Sequence, residues 1–166
     1  MTAGKKDASR ELIQAFDLQF VRLHTRSCSL ISTTPIELLY RGAPSSTAAP
    51  FYSMGHHLLR SAATVERTFG GITANLWDDP FEWTLPENLS TIELVNEYLE
   101  EVEATRRRAF ARFEQDSDLL KEVLVPTGNT RPLIVLLTET LVKAADYQGR
   151  AIATLSLISD GRFPSP

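Results

Sequence analysis

The side chains with chemical potential in this sequence are few and grouped. Along the segment from Thr130 to about Ser159, Glu139, Lys143, Asp146 and Arg150 recur at helical spacing. Two carboxylates thereby share one helix face and could offer oxygen ligands to a cation. The simpler reading is two exposed ion pairs, Glu139–Lys143 and Asp146–Arg150. His56 and His57 are adjacent, and neighbours on a helix point about 100° apart. They therefore cannot ligate one ion together; if His57 faces inward, His56 faces solvent. His24 sits one position beyond Leu23, a boundary position for a histidine. Cys28, the one cysteine, reads as a packing thiol, since a nucleophile needs a base and a depressed pKa. A single cysteine also excludes an internal disulfide and any multi-cysteine zinc site. No Gly-x-Ser-x-Gly elbow, Gly-x-Gly-x-x-Gly turn or phosphate loop occurs.

These groups must be positioned by helices, because every long segment carries a period of 3.6 and none alternates. A first helix is predicted from Ala8 to Ser32, with Ile13, Phe16, Phe20, Leu23, Ser27 and Leu30 inward, ended by Thr33-Thr34-Pro35. Residues 41–50 form a proline-broken linker. Ser53 is placed as the N-cap of a second helix, whose inward stripe is Met54, Leu58, Ser61, Ala62, Val65 and Phe69 and which Gly70-Gly71 stop. Residues 72–89 are read as an ordered loop whose Trp77 and Trp83 plug the bundle end or wall a pocket. Ser90 and Glu93 suggest a capping box opening a third helix. Its stripe is Ile92, Val95, Leu99, Val102, Arg106 and Ala109 or Phe110. The triplet Arg106-Arg107-Arg108 is assigned chiefly to solvated surface, with Glu103–Arg107 as an i,i+4 pair. Residues 119–125 are a short turn or extended piece, and the last helix starts near Thr130 with Pro132 in its first turn.

At 166 residues the chain is expected to be one domain, spanning 1–166 with 1–7 and 160–166 frayed. A net charge of −4 argues against broad nucleic-acid or anionic-membrane binding. No apolar run reaches the roughly 18 residues of a membrane span, and no signal peptide is visible. Together these features predict a cytoplasmic, all-α four-helix bundle with long crossovers near residues 33–52 and 70–89.

The order of these parts resembles the DinB/YfiT-like superfamily over nearly the whole chain. The shared features are a long first helix, a proline-containing crossover, and a Ser-capped second helix, here Ser53-Met-Gly-His-His-Leu-Leu-Arg60. An irregular Trp-containing loop, a charged third helix and a fourth helix with Gly149 late in it follow. The resemblance implies a bundle with a pocket at one end, often a homodimer. That pocket typically holds a divalent metal on three histidines, one from the second helix and two at i,i+4 on the fourth. Here the fourth-helix positions fall on Lys143 and Tyr147. The second-helix position falls on Arg60, or on His57 if the register slips one turn. Lysine and arginine are not ligands for a divalent cation, so the family site is degenerate.

Two replacements follow from that loss. His57 with Glu66, Glu139 or Asp146 would make a remodelled site for zinc, nickel, iron or manganese. Arg60 and Lys143 would instead substitute the charge of the lost ion and hold a small anionic ligand, or else pair with nearby carboxylates in a structural cluster. Tyr147 and Gln148 then line that pocket or bond within it. The leading expectation is a small-ligand or protein-binding module without a cofactor. The alternative is a metal-dependent enzyme of thiol-transferase or hydrolase type around His57.

Overall fold

A computed structural model of the chain describes residues 9–42, 52–80 and 84–159. Trp83, most of the proline-broken linker and both expected frayed tails lie outside the described residues. Four long helices dominate, named α1 (Glu11–Thr33), α3 (Met54–Ala74), α4 (Ile92–Phe110) and α5 (Leu133–Ile158). A single-turn helix α2 (Ile36–Leu39) follows α1, and a 3-10 turn (Asp116–Leu120) with a hairpin of β1 (Glu122–Leu124) and β2 (Thr130–Pro132) precedes α5.

Local chemistry sets most of these ends. Thr34 is extended ahead of Pro35, and its hydroxyl bonds the Leu30 carbonyl at 2.6 Å, which closes α1. Ser53 caps α3 as expected, accepting the His56 N–H at 3.1 Å. The cap of α4 is Thr91 rather than Ser90, one residue later than the sequence suggested; it accepts the Leu94 N–H at 3.3 Å.

The glycine pair does not stop α3. The helix runs on to Ala74 and ends at Asn75, a left-handed residue with φ 56°. Gly71 serves another purpose. A Cβ there would lie 2.3 Å from the Trp77 ring, so the missing side chain lets that indole lie flat on the helix.

Each long helix packs against two others. α1 lies between α4 and α5, and α3 lies between the same two, which leaves α1/α3 and α4/α5 across the diagonals. Phe20, Phe69 and Phe110 meet at the centre, with ring centroids 5.0–5.9 Å apart. Pairings between helices fix the directions. Asp17 with Arg106 and His24 with Glu100 make α1 and α4 antiparallel. Ser61 with Ala144 and Thr68 with Thr140 do the same for α3 and α5. Glu66 with Tyr98 and Thr73 with Arg112 make α3 and α4 parallel.

Parallel neighbours that follow one another in sequence need a connection as long as the helix itself. For the 21 residues of α3 that is roughly 30 Å. The described parts of that connection, residues 75–80 and 84–91, form a strap running back along α3, with Trp77 packed on that helix rather than plugging the bundle end. Trp77 covers Gly71 and its carbonyl accepts from Arg67 Nε at 2.8 Å. Further along, Asp79 reaches Arg60, and the Leu89 carbonyl accepts the Tyr40 hydroxyl.

The hairpin is the departure from an all-helical reading. Val123 pairs with Arg131, and Gly128 turns the chain at φ 82°. α5 accordingly starts at Leu133, with Pro132 as the residue before it rather than within its first turn. No helix of the described residues is long and apolar enough to cross a membrane.

Candidate functional site

The strap, the hairpin tip and the adjoining faces of α3 and α5 enclose a half-open cleft of about 240 Å³. Helical spacing places Arg60, Thr64 and Arg67 on the α3 wall. Glu139, Thr140 and Lys143 form the α5 wall, the strap contributes Trp77 and Asp79, and the hairpin contributes Pro126 and Arg131. Thr68 and Thr140 share a 2.7 Å hydroxyl bond that ties the two helices at its floor.

Four cationic side chains and two carboxylates therefore face one space, in a chain whose overall charge is −4. Arg60 clamps Asp79 with both guanidinium nitrogens, at 2.8 and 3.1 Å. That bond holds the Asp79 carboxyl below its ordinary value against the opposing cost of desolvation, and the charges of Arg60, Arg67 and Lys143 add to it. Arg131 holds Glu139 at 2.8 Å and lowers its pKa in the same way. Lys143 has no ion-pair partner among the described residues.

The expected pairing of Glu139 with Lys143 is thus replaced by Glu139 with Arg131. A residue from the hairpin competes successfully because its planar fork engages both carboxylate oxygens. Asp146–Arg150 does form, at 2.7 Å.

Both second-helix candidates face this region, but they do different things. Arg60 lines the cleft; His57 stands one turn before it, its ring centroid 6.4 Å from that of Tyr147. The Tyr147 side chain also lies near enough to Arg60 to favour its charge. His57 is half-buried, and its Nδ1 is buried without a hydrogen-bond partner. Burial, then the neighbouring His56 and Arg150, hold its pKa below the ordinary value despite Asp146, so the ring is neutral near pH 7. His56 stacks on Tyr52 at 4.3 Å.

The oxygen donors paired with His57 from sequence do not converge on it. Glu66 accepts the Tyr98 hydroxyl at 2.6 Å on the α4 side of α3, Glu139 is held by Arg131, and Asp146 by Arg150. Arg60, Lys143 and Tyr147, with two fixed positive charges among them, do not make a set that fits a divalent cation. Gln148 turns away from the cleft altogether. It is 1% exposed and donates to the Leu23 carbonyl and the Ser27 hydroxyl of α1, at 2.6 and 2.7 Å.

No protein-family model matches this chain, and no curated protein or solved structure does either.

The lining of the cleft is chemically suited to negative charge. Two guanidinium groups already positioned by carboxylates, a third bonded to the strap and an uncommitted ammonium surround a space large enough for a small molecule. Thr64 and Thr68 add hydroxyls on one wall. Trp77 supplies an apolar flank.

Sequence reasoning reached Arg60 and Lys143, but missed Arg67, Arg131 and Asp79. Arg67 was within reach, since it lies seven residues beyond Arg60 on the same helical face. Arg131 and Asp79 were not, because they arrive through a hairpin and a strap whose paths no periodicity encodes.

Proposed function

We propose that this protein is a DinB/YfiT-like bundle with a degenerate metal site, and that it binds a small anionic ligand in the cleft between α3 and α5. The ligand class is a carboxylate or phosphate compound small enough for about 240 Å³. One observation carries this reading: Arg60, Arg67, Arg131 and Lys143 line a single cleft in an otherwise acidic chain. Asp79 and Glu139 offset two of these charges, and Arg67 and Lys143 leave a surplus of positive charge, flanked by an indole and by hydroxyls, that an anion would complement.

Isothermal titration with inorganic phosphate, citrate and succinate tests the proposal directly. Saturable binding that weakens about tenfold in Lys143→Ala is expected, since one charge-assisted hydrogen bond is worth roughly 1.5–3 kcal/mol. Folded wild-type protein that binds none of the three, even at low salt, would remove the basis for it.

The alternative, a metal-dependent thiol transferase or hydrolase around His57, has one observation in its favour, the buried and unpartnered Nδ1. Elemental analysis of untagged protein purified without chelator tests it. Stoichiometric metal lost in His57→Ala would favour that reading over the anion cleft.

A further inference from the structure

On the opposite side of the bundle, α1 and α4 bring together three side chains that no part of the cleft uses. His24 and Cys28 are four residues apart on α1 and so share one face. Glu100 comes from the antiparallel α4. Cys28 Sγ lies 3.6 Å from His24 Nε2, and His24 Nε2 lies 3.3 Å from Glu100 Oε1. The three potential ligand atoms all fall within 4.8 Å of one another, the one such group of histidine, cysteine and acidic side chains among the described residues.

We propose that His24, Cys28 and Glu100 form a binding site for a thiophilic divalent cation, zinc or a close chemical relative. The spacing is the first argument. Zinc binds sulfur at about 2.3 Å, imidazole nitrogen at about 2.0–2.1 Å and carboxylate oxygen at about 2.0–2.2 Å. At a tetrahedral angle, such bonds put the sulfur about 3.6 Å from the nitrogen, and the nitrogen about 3.3 Å from the oxygen. The two separations observed match those edges; because Cys28 Sγ also lies 3.9 Å from Nδ1, the His24 ring must turn to aim its Nε2 lone pair at an ion shared with the sulfur.

The donor set is the second argument. A thiolate with an imidazole favours late first-row ions over magnesium or calcium, and the carboxylate brings the total protein charge on the ion to −2. Three protein donors leave one tetrahedral position open to solvent, the arrangement of a site that can exchange its fourth ligand. Beside His24 lies a cavity of about 30 Å³ bounded by Leu23, Leu99 and Val102 together with Ser27 and Ser61. Glu103 also borders it and is held in place by Arg106 at 2.7 Å.

A free nucleophilic thiol is the competing use of Cys28, and its surroundings oppose it. The carboxylates of Glu100 and Glu103 stand near the sulfur and disfavour a free thiolate with no cation beside it. The same carboxylates attract a cation. This inference is independent of the anion cleft, with which it shares no residue.

Cobalt(II) titration of the full, chelator-stripped chain provides the test, because a thiolate bound to cobalt gives a charge-transfer absorption in the near ultraviolet. One equivalent of cobalt should develop that band together with visible bands of tetrahedral intensity, and zinc should displace both. Losing even a residue that only orients a metal ligand costs about 10–100-fold in affinity. Cys28→Ser should therefore abolish the charge-transfer band and weaken zinc at least tenfold. Glu100→Gln, at an exposed position, should keep the band but weaken zinc several-fold, and His57→Ala should leave both unchanged. Circular dichroism of the serine variant confirms that loss of binding is not loss of fold. Wild-type protein without the charge-transfer band, or cobalt binding lost in His57→Ala and retained in Cys28→Ser, would overturn the assignment.

Discussion

Arg60 on α3 and Asp79 on the returning strap form a two-pronged ion pair, with Nη1–Oδ1 at 2.8 Å and Nη2–Oδ2 at 3.1 Å. The bond has two effects. It fastens the strap to the helix it runs along, and it fills with a protein carboxylate part of the positive space where a ligand would bind. Asp79→Asn separates these roles. Because the pair is part-exposed, its loss should lower stability by only about 0.5–1 kcal/mol. Phosphate binding should meanwhile tighten several-fold, because an internal competitor has been neutralised. Calorimetric titration beside a denaturation curve reads both, and weaker binding in the variant would mean that Asp79 shapes the cleft rather than competing for it.

Gly71 makes a steric prediction. Gly71→Ala would place a methyl group 2.3 Å from the Trp77 ring, forcing the indole off the helix. Overpacking of this kind costs about 1–3 kcal/mol. A lowered unfolding midpoint with a red-shifted tryptophan emission is expected. The same substitution at Gly149, where a Cβ would meet nothing within 4 Å, should stabilise the helix slightly.

The three consecutive arginines of α4 should behave very differently. Arg106 is 3% exposed and bonds Glu103 on one side and Asp17 of α1 on the other. Arg106→Ala leaves Glu103 buried without its partner, at a cost of about 3–5 kcal/mol. Arg107→Ala removes an exposed side chain 3.9 Å from the same glutamate and should change stability by less than about 0.5 kcal/mol. Urea denaturation of the two variants compares them directly.

Asp118 controls one part of the acid response. Its carboxylate is held by Lys121 and by the N–H groups of Gln115 and Glu114, which take its pKa from 3.8 to about 2. A folded-state pKa below the unfolded one stabilises the protein above about pH 4. That contribution is lost as pH falls from there towards 2. Asp118→Asn should flatten this portion of the stability profile while leaving the region above pH 5 parallel to wild type. An unchanged slope between pH 4 and 2 would show that other carboxylates dominate it.

Much of the scaffold was legible because its signals are local. Ser53 has a hydroxyl where α3 needs an acceptor, and Pro35 dictates the extended Thr34 that ends α1. The buried positions Ile13, Phe20, Ser27 and Leu30 repeat at the helical period. What failed was non-local or ambiguous. A glycine pair signals a helix end as readily as a close contact, and only the position of Trp77 distinguishes them. Strands of three residues are too short to show alternation. An apolar stripe says that a helix is buried but not which neighbour buries it, so the parallel α3/α4 pair and its strap were invisible. The candidate sites divide along the same line. His24 and Cys28 sit at a visible i,i+4 spacing, whereas Glu100 belongs to a different helix and enters only through the fold.

The order of helices around the bundle has a kinetic consequence. No two long helices that are consecutive in sequence form a short antiparallel hairpin. α1 faces α3 across a diagonal, α3 joins α4 only through the strap, and α4 faces α5 across the other diagonal. Every large helix–helix interface must then close a long loop before any contact rewards it. Refolding after rapid dilution from urea should be slow for an α-helical protein of this length, while secondary structure forms early in each separate helix. Because α1 and α5 run parallel, their outer ends lie at opposite ends of the bundle, so a permutant that opens the strap and starts at α4 needs a linker about as long as a helix. The refolding rate of that permutant would then measure how far connectivity, rather than packing, sets the barrier.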